Sequence, residues 1–154
     1  IGANPIVSIL RHLRDLYDER PTKTFPHRLA FLYTAATKED LVFRRSIDSS
    51  CQTLIRDNVL RTDYFATREI NTDEADVTYR RILHDDLSRT IDWLEKPVTA
   101  YLCGPPSFVQ FVEESLKQFP STKIFYENGG RNIDIVLFSS PQRLFACSCQ
   151  SNRH

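Results

Sequence analysis

The stretch Val98-Thr99-Ala100-Tyr101-Leu102-Cys103-Gly104-Pro105-Pro106-Ser107-Phe108 decides the fold of this chain. Its first six residues have the length and apolar character of a buried strand. The two prolines end that strand, because they have no amide hydrogen to donate to a ladder. Ser107 then begins a helix that we expect to reach Gln118, with Phe108 on its apolar stripe. A strand that runs directly into a helix is typical of α/β folds, whose ligands bind at the carboxyl ends of the strands.

Strands and helices alternate along the rest of the chain as well. Asn4 and Pro5 are an N-cap and a proline at the first helical position, and they predict a helix that ends before Pro21. Short apolar runs predict further strands at Arg28–Tyr33, Asp63–Arg68 and Lys123–Tyr126, with helices over 39–56 and within 85–94 and an exposed loop over 69–76. The fold class predicted is α/β: a doubly wound, Rossmann-like parallel sheet with helices on both faces.

The order of elements leaves one strand unaccounted for. The chain begins on a helix, whereas a doubly wound sheet has its first strand in the middle of the strand order. We therefore expect the first strand to be missing from this chain, which makes the domain incomplete at its N-terminus.

Composition excludes several classes of partner. The 154 residues suffice for one domain, and 20 basic against 20 acidic residues give a formal net charge of +0. This balance argues against nucleic acid and against an acidic membrane as partners, and favours a small molecule. The chain has no Met, its opening residues do not resemble a signal peptide, and its 4 Cys are too few for a disulfide scaffold. We expect an internal start and an intracellular protein, with cytoplasm and mitochondrion both open.

Two segments carry the candidate site. Gly2-Ala3-Asn4-Pro5 at a helix start is typical of a phosphate-binding turn, because glycine lets the backbone approach an anion and free N–H groups attract it; a plain structural turn is the alternative. The second segment is Cys103-Gly104-Pro105-Pro106-Ser107-Phe108, at the carboxyl end of the strand described above. Together the two segments predict a ligand-binding crevice bordered by Asn4 and Cys103.

On these segments the sequence resembles the nicotinamide-dinucleotide domain of the ferredoxin–NADP reductase superfamily, and within it the oxidoreductase NAD-binding domain-containing proteins. The resemblance covers residues 1–127 and includes Tyr33–Arg44, which is similar to the family's ribose segment. It implies that the pyrophosphate lies beside Gly2, Ala3, Asn4 and Pro5. It also implies that the adenosine ribose lies beside Thr34 and Ala35. The nicotinamide would be flanked by Cys103 and Gly104, with Pro105, Pro106 and Phe108 completing that segment.

The resemblance also implies a chemistry. It is hydride transfer between a nicotinamide and an FAD that a separate flavin domain of the same parent chain supplies, with an electron acceptor that the sequence does not identify. Cys103 is the candidate catalytic residue and would hold the nicotinamide without ionising; the alternative is a small buried hydrophobic residue. The parent would be the enzyme, and we expect this fragment alone to be inactive. A second hypothesis is a nucleotide-sensing or protein-interaction module that keeps the fold without catalysis.

Cofactor preference depends on the residues after the first predicted strand. The phosphate-preferring members of the family place an Arg where this chain has Ala36, so we favour NAD over NADP, although Lys38 or Arg68 could reach a 2′-phosphate. Arg68 is a candidate dinucleotide contact, and a solvated charge pair with Glu69 is its alternative interpretation. We interpret Arg80-Arg81 as a solvated charge run. The histidines lack metal-ligand spacing, so no metal site is predicted.

The tail over 128–154 departs from the family. The family members finish Glu-Lys-Trp-Trp after the last strand, whereas this chain reads Glu127-Asn128-Gly129-Gly130. Loss of one A from GAA AAA TGG TGG gives GAA AAT GGT GG, which is read Glu-Asn-Gly-Gly. One hypothesis is therefore that the tail is translated out of frame or is disordered. The alternative is an extension whose residues 133–138 form an extra strand.

Overall fold

A computed structural model describes residues 3–19, 28–70, 75–128 and 133–139. The helices are α1 (Ala3–Glu19), α2 (Arg44–Ser50), α3 (Gln52–Arg56), α4 (His84–Trp93) and α5 (Pro106–Leu116). The strands are β1 (Leu29–Ala35), β2 (Leu60–Ala66), β3 (Val77–Thr78), β4 (Val98–Gly104), β5 (Thr122–Asn128) and β6 (Ile133–Ser139). None of the described helices combines the length and the apolar character that a membrane span requires.

The strands form one sheet in the order β3-β2-β1-β6-β4-β5. The pairs β1–β2, β2–β3 and β4–β5 are parallel, and helices cover both faces. The protein therefore has the predicted α/β class, with a mostly parallel sheet that is compatible with a Rossmann-like fold. The connection from β1 to β2 passes through α2 and α3, and the connection from β4 to β5 passes through α5, as is usual between parallel strands.

Strand β6 is the exception to the parallel arrangement. It lies antiparallel between β1 and β4, with Leu137 opposite both Ala30 and Ala100. This is the middle of the sheet, where a doubly wound fold has its first strand. Four consecutive β6 side chains, Ile135, Val136, Leu137 and Phe138, are 0% exposed. β6 also covers the residues for which the extension hypothesis predicts a strand.

Two hydrophobic cores flank the sheet because successive strand side chains point to opposite faces. On one face α1, α2 and α3 cover a core that includes Phe31, Tyr33 and Val136. On the other face α4 and α5 cover a core that includes Leu32, Leu102 and Ile135. The crossovers thus change faces between the β1–β2 half and the β4–β5 half, and β6 lies at the boundary.

The elements depart from prediction mainly after β1. The helix expected over 39–56 begins at Arg44 and is broken at Cys51. Its expected first turn is a closed loop instead, in which the Thr37 hydroxyl donates to the Asp40 carboxylate at 2.9 Å and accepts from the Asp40 N–H at 3.3 Å. These side-chain bonds give the backbone an alternative to helix. The short β3 was not predicted, and four residues of the loop expected over 69–76 lie outside the described residues.

Candidate functional site

The carboxyl ends of β1, β2, β4 and β5 meet at one edge of the sheet. Helices α4 and α5 start at this carboxyl edge because each follows a strand that ends there. Helix α1 runs in the same direction as α4 and α5. Near the C-terminal end of α1, the Tyr17 hydroxyl donates to Asp57 at 3.0 Å, and Asp57 lies just before the amino end of β2. A 17-residue helix is about 25 Å long, close to the length of a seven-residue strand. Its first turn, with Ala3, Asn4 and Pro5, therefore lies at the carboxyl edge.

Thr34 presents an unusual group at this edge. It is 3% exposed, and its Oγ1 is the one buried side-chain oxygen or nitrogen in the described part of the chain that has no hydrogen-bond partner. The neighbouring backbone is satisfied, since the Ala35 carbonyl accepts from the Thr67 N–H at 3.0 Å. A buried hydroxyl without a partner costs about 1–3 kcal/mol. The residue predicted beside the adenosine ribose therefore has an unused hydrogen-bonding group.

The turn after β1 is fixed by a partner that sequence reasoning did not identify. Glu69 accepts a hydrogen bond from the Lys38 N–H at 2.8 Å, and so ties the segments after β1 and β2 together. The Tyr33 hydroxyl supports the same turn by donating to the Asp40 carbonyl at 3.3 Å. A contact that spans 31 positions leaves no local sequence signal, because it depends on the strands lying side by side.

A hollow of about 400 Å³ adjoins this turn. Three of its lining side chains are basic and one is acidic, and the lining consists of Lys38, Glu39, Leu41, Val42, Arg44 and Arg45. Arg44 also pairs with Asp76 at 3.6 Å and lies over the Tyr64 ring at 5.5 Å. Burial raises the pKa of Tyr64, as does its hydrogen bond to Asp48. The local excess of positive charge would suit an anionic group.

Gly104 ends β4 in a crowded position. A Cβ placed on it would lie 3.3 Å from Ile133 Cγ1 and 3.4 Å from Phe108 Cδ1. Since 3.3 Å is a tight contact between carbon atoms, the start of β6 occupies the space next to the residue predicted to flank the nicotinamide. Phe108 belongs to the α5 side of the sheet and lies 6.0 Å from Phe111 between ring centroids.

Cys103 lies on the opposite face of β4 from Gly104. It is 3% exposed and belongs to the core beneath α1, together with Ile6 and Val7. The structure thus brings Cys103 and the first turns of α1 to the same face at the same edge. Gly2 lies outside the described residues.

The start of α5 carries the two remaining predicted residues of the segment. Pro105 is the N-cap and Pro106 is the first helical residue, one position before the start predicted at Ser107, since proline is favoured in the first helical turn. No side chain caps this end; the Pro105 carbonyl accepts from the Phe108 N–H at 2.9 Å. The fixed φ of proline positions the helix start next to Gly104.

Arg68 lies at the carboxyl edge just after β2. Its side chain is exposed, and its N–H donates to the Ala36 carbonyl at 2.9 Å. Glu69, the proposed partner in a solvated charge pair, directs its carboxylate to the Lys38 N–H.

Helix α4 begins at the same edge with a buried carboxylate. Asp86, 7% exposed, accepts from the Arg80 guanidinium at 2.6 and 2.9 Å, from Arg89 at 2.7 Å and from the Leu83 N–H at 2.8 Å. These bonds, with Arg80 the largest cause, lower the pKa of Asp86 to about 2. Arg80 also lies over the Phe65 ring at 5.7 Å. The interpretation of Arg80-Arg81 as a solvated charge run is wrong for Arg80, because the chain folds Asp86 against it, whereas Arg81 is exposed.

The described residues contain no group of His, Cys, Asp and Glu side chains that could hold a metal ion. The residues concerned are 3–19, 28–70, 75–128 and 133–139.

Comparison with known proteins gives distant relatives. The chain is 28% identical over 138 residues to oxidoreductase NAD-binding domain-containing protein 1 of Bos taurus, and 28% over 134 residues to that of Danio rerio. The protein of the same name from Homo sapiens is 25% identical over 138 residues. No protein-family model and no solved structure matches.

The chain is similar to proteins named for an NAD-binding domain. The matches cover 82% of this chain but only 42% of the Bos taurus and Homo sapiens proteins and 48% of the Danio rerio protein. The chain thus spans less than half the length of the curated relatives that it matches.

Proposed function

We propose that this chain is the nicotinamide-dinucleotide-binding domain of a flavin-dependent oxidoreductase of the ferredoxin–NADP reductase type. The FAD would be held by another domain of the parent protein. The observation that carries the proposal is the unpartnered Thr34 hydroxyl at the carboxyl edge, where ligands of α/β sheets bind. The relatives, which are named for oxidoreductase activity and NAD binding, support the same function.

The residues at the edge suit the parts of a dinucleotide. Thr34 Oγ1 is buried in this structure, so a ribose hydroxyl would reach it after the Thr34 side chain rotates toward the edge; Oγ1 would then donate or accept, and the cost of its unsatisfied burial would be removed. The first turn of α1 offers backbone N–H groups and the positive end of a 17-residue helix to the pyrophosphate. Gly104 and Pro105 add little side-chain bulk of their own at the end of β4, where Ile133 and Phe108 lie beside Gly104 and would have to leave room for the nicotinamide ring.

The chemistry is a hydride exchange between nicotinamide and flavin, which the two cofactors supply when bound. The chain would contribute binding and orientation. Cys103 is held in the core at 3% exposure, so its role is to shape the nicotinamide side of the crevice rather than to attack as a nucleophile. The first turn of α1 and Thr34 would hold the adenosine and pyrophosphate half of the dinucleotide. Their contacts would thereby determine where the nicotinamide ring lies.

We propose NAD rather than NADP as the preferred nucleotide. The Glu69 carboxylate, 2.8 Å from the Lys38 N–H, places negative charge at the turn after β1, where it would repel a 2′-phosphate. The basic hollow beside Lys38 would instead attract a 2′-phosphate. Glu69→Gln removes the negative charge and keeps the shape. It should therefore raise NADPH affinity relative to NADH, with Glu95→Gln, an exposed acid at the amino edge of the sheet, as the control.

Calorimetric titration of the chain with NADH tests the proposal. Thr34→Val removes the hydroxyl at nearly constant shape and should weaken NADH binding about tenfold. Thr99→Val is the matched control, since Thr99 is a buried threonine at the amino end of β4. Absence of NADH binding to the unmodified chain, or equal binding by the Thr34 variant, would contradict the proposal.

One observation favours a second candidate, a nucleotide-sensing or interaction module without hydride transfer. Ile133 lies against Gly104, where the nicotinamide would have to approach. For such a module, ADP-ribose should bind as tightly as NADH, because the nicotinamide half adds no contact. Ile133→Ala should then strengthen NADH binding and leave ADP-ribose binding unchanged. A parent protein whose flavin is bleached by NADH would exclude this candidate.

A further inference from the structure

Strand β5 forms one edge of the sheet. It pairs with β4 from Thr122 to Asn128, and within the described ranges no strand pairs with its outer side. Two large side chains of this strand are exposed, Phe125 at 47% and Tyr126 at 57%. A full-length edge with exposed aromatic residues is a template for pairing with another strand.

The sequence of β5 is complementary to itself in the antiparallel direction. It reads Thr122-Lys123-Ile124-Phe125-Tyr126-Glu127-Asn128. If two copies pair about a two-fold axis through Phe125, Lys123 of each copy lies opposite Glu127 of the other. Ile124 then lies opposite Tyr126, and the two Phe125 rings meet at the centre. Opposite charges and aromatic pairs are the cross-strand neighbours that stabilise antiparallel sheets.

The aromatic rings next to β5 continue this pattern across the sheet. Tyr101 on β4 stacks on Phe125 with centroids 5.1 Å apart, and on Phe138 of β6 at 5.7 Å; both ring pairs are tilted by 18°. A row of three rings thus runs outward from the middle of the sheet and ends at the exposed Phe125. A second copy would continue that row through its own Phe125, since neighbouring strands lie about 4.8 Å apart.

We propose that the partner of this edge is a second copy of the chain, which pairs β5 with β5 about a two-fold axis and joins the two sheets. Lysine on an edge strand normally prevents pairing because its charge would be left without a partner. Here the Lys123 and Glu127 charges are four residues apart and equidistant from Phe125, so the symmetric arrangement neutralises both. This inference is independent of the proposed dinucleotide site.

Sedimentation velocity over a series of protein concentrations tests the proposal. The unmodified chain should shift from monomer to dimer, with a dissociation constant on the order of micromolar, as expected for a small interface. Lys123→Glu places two acidic residues opposite each other twice in the dimer. It should raise the dissociation constant by about tenfold or more. Phe125→Thr should also weaken the dimer, because it removes the central ring pair.

The double variant Lys123→Glu with Glu127→Lys distinguishes this arrangement from a general effect of charge. It exchanges the two charges and should restore the dimer. Lys117→Glu, an exposed lysine at the end of α5, is the control with the same change of net charge and should dimerise normally. A chain that stays monomeric at all concentrations would overturn the proposal, as would a double variant no better than Lys123→Glu. Circular dichroism verifies that each variant is folded.

Discussion

The Thr34 hydroxyl illustrates how a binding residue can be recognised in a folded chain. The family resemblance predicted a ribose contact for Thr34, but a sequence does not show whether a hydroxyl has a partner. In the structure Oγ1 is buried and unpartnered, which costs about 1–3 kcal/mol of stability. A group of this kind is expected where a ligand supplies the partner.

Thr34→Val should stabilise the chain without ligand while it weakens NADH binding. Valine keeps the shape and removes the unsatisfied oxygen, so the free energy of unfolding should rise by about 1 kcal/mol and the Tm by about 2–4 °C. Thermal unfolding without and with NADH measures both effects. Thr99→Val should not raise the Tm, because Thr99 already has an interaction partner within the protein. A Thr34 variant less stable than the unmodified chain would indicate that its hydroxyl has a partner in the protein.

Asp86 should make stability depend on pH in the acid range. Its pKa is lowered to about 2 from an ordinary value of 3.8, so the folded state favours the charged form. The stabilisation is therefore fully present above about pH 4 and lost as the pH falls through 2. At 1.36 kcal/mol per pKa unit, Asp86→Asn should cost about 2 kcal/mol at pH 7 and much less near pH 2. Asp85→Asn, an exposed acid in the same helical turn, is the control. Urea unfolding at both pH values measures the difference, and a constant difference would contradict this account.

Among the elements, β6 has the largest influence on the fold and was the least predictable. The apolar run over residues 133–138 indicated a strand, but alternation and composition do not give a strand's neighbours or direction. Its place follows from the rest of the sheet: β1 and β4 both need a partner on their inner side, and an apolar strand satisfies them in either direction. Strand β4 and helix α5 were predictable because Gly104-Pro105-Pro106 separates them locally.

Leu137→Ala tests whether β6 is an integral part of the core. Leu137 is 0% exposed and lies between Ala30 and Ala100, so truncation should leave a cavity and cost about 2–5 kcal/mol. Ile70→Ala removes a similar side chain that is 93% exposed, and it should change stability by less than about 0.5 kcal/mol. Chemical unfolding measures both variants. Equal stabilities would mean that β6 does not occupy the middle of the sheet.

The contact between Gly104 and β6 allows a second test of the same placement. Gly104→Ala should destabilise the chain by about 1–3 kcal/mol, because the new methyl group would lie 3.3 Å from Ile133 Cγ1. Ile133→Ala in the same chain should relieve part of that cost, so the double variant should be more stable than the sum of the single changes predicts. Strictly additive effects would show that these residues do not touch.

The sheet as a whole consists of two halves whose crossovers lie on opposite faces. Such a change of face at the middle strand is the switch point at which α/β sheets bind ligands. The class, the layers and most element positions could be predicted, because each follows from local patterns. The direction of β6 and the link from Glu69 to Lys38 could not, since both depend on segments distant in sequence. The frame-shift hypothesis for the tail stays a prediction, which sequencing of the transcript across the codons for Glu127–Gly130 tests.

Amide chemical shifts of the isotope-labelled chain during titration with NADH test whether a dinucleotide binds across the carboxyl edge of the sheet. We expect the largest shifts in the first turn of α1, in Thr34–Lys38 at the end of β1 and in the turn that follows, and in Gly104–Phe108. The amide signals of residues at the amino edge, such as Val59 and Val98, should not shift. Saturable shifts confined to the amino edge, or no shifts at all, would contradict this expectation.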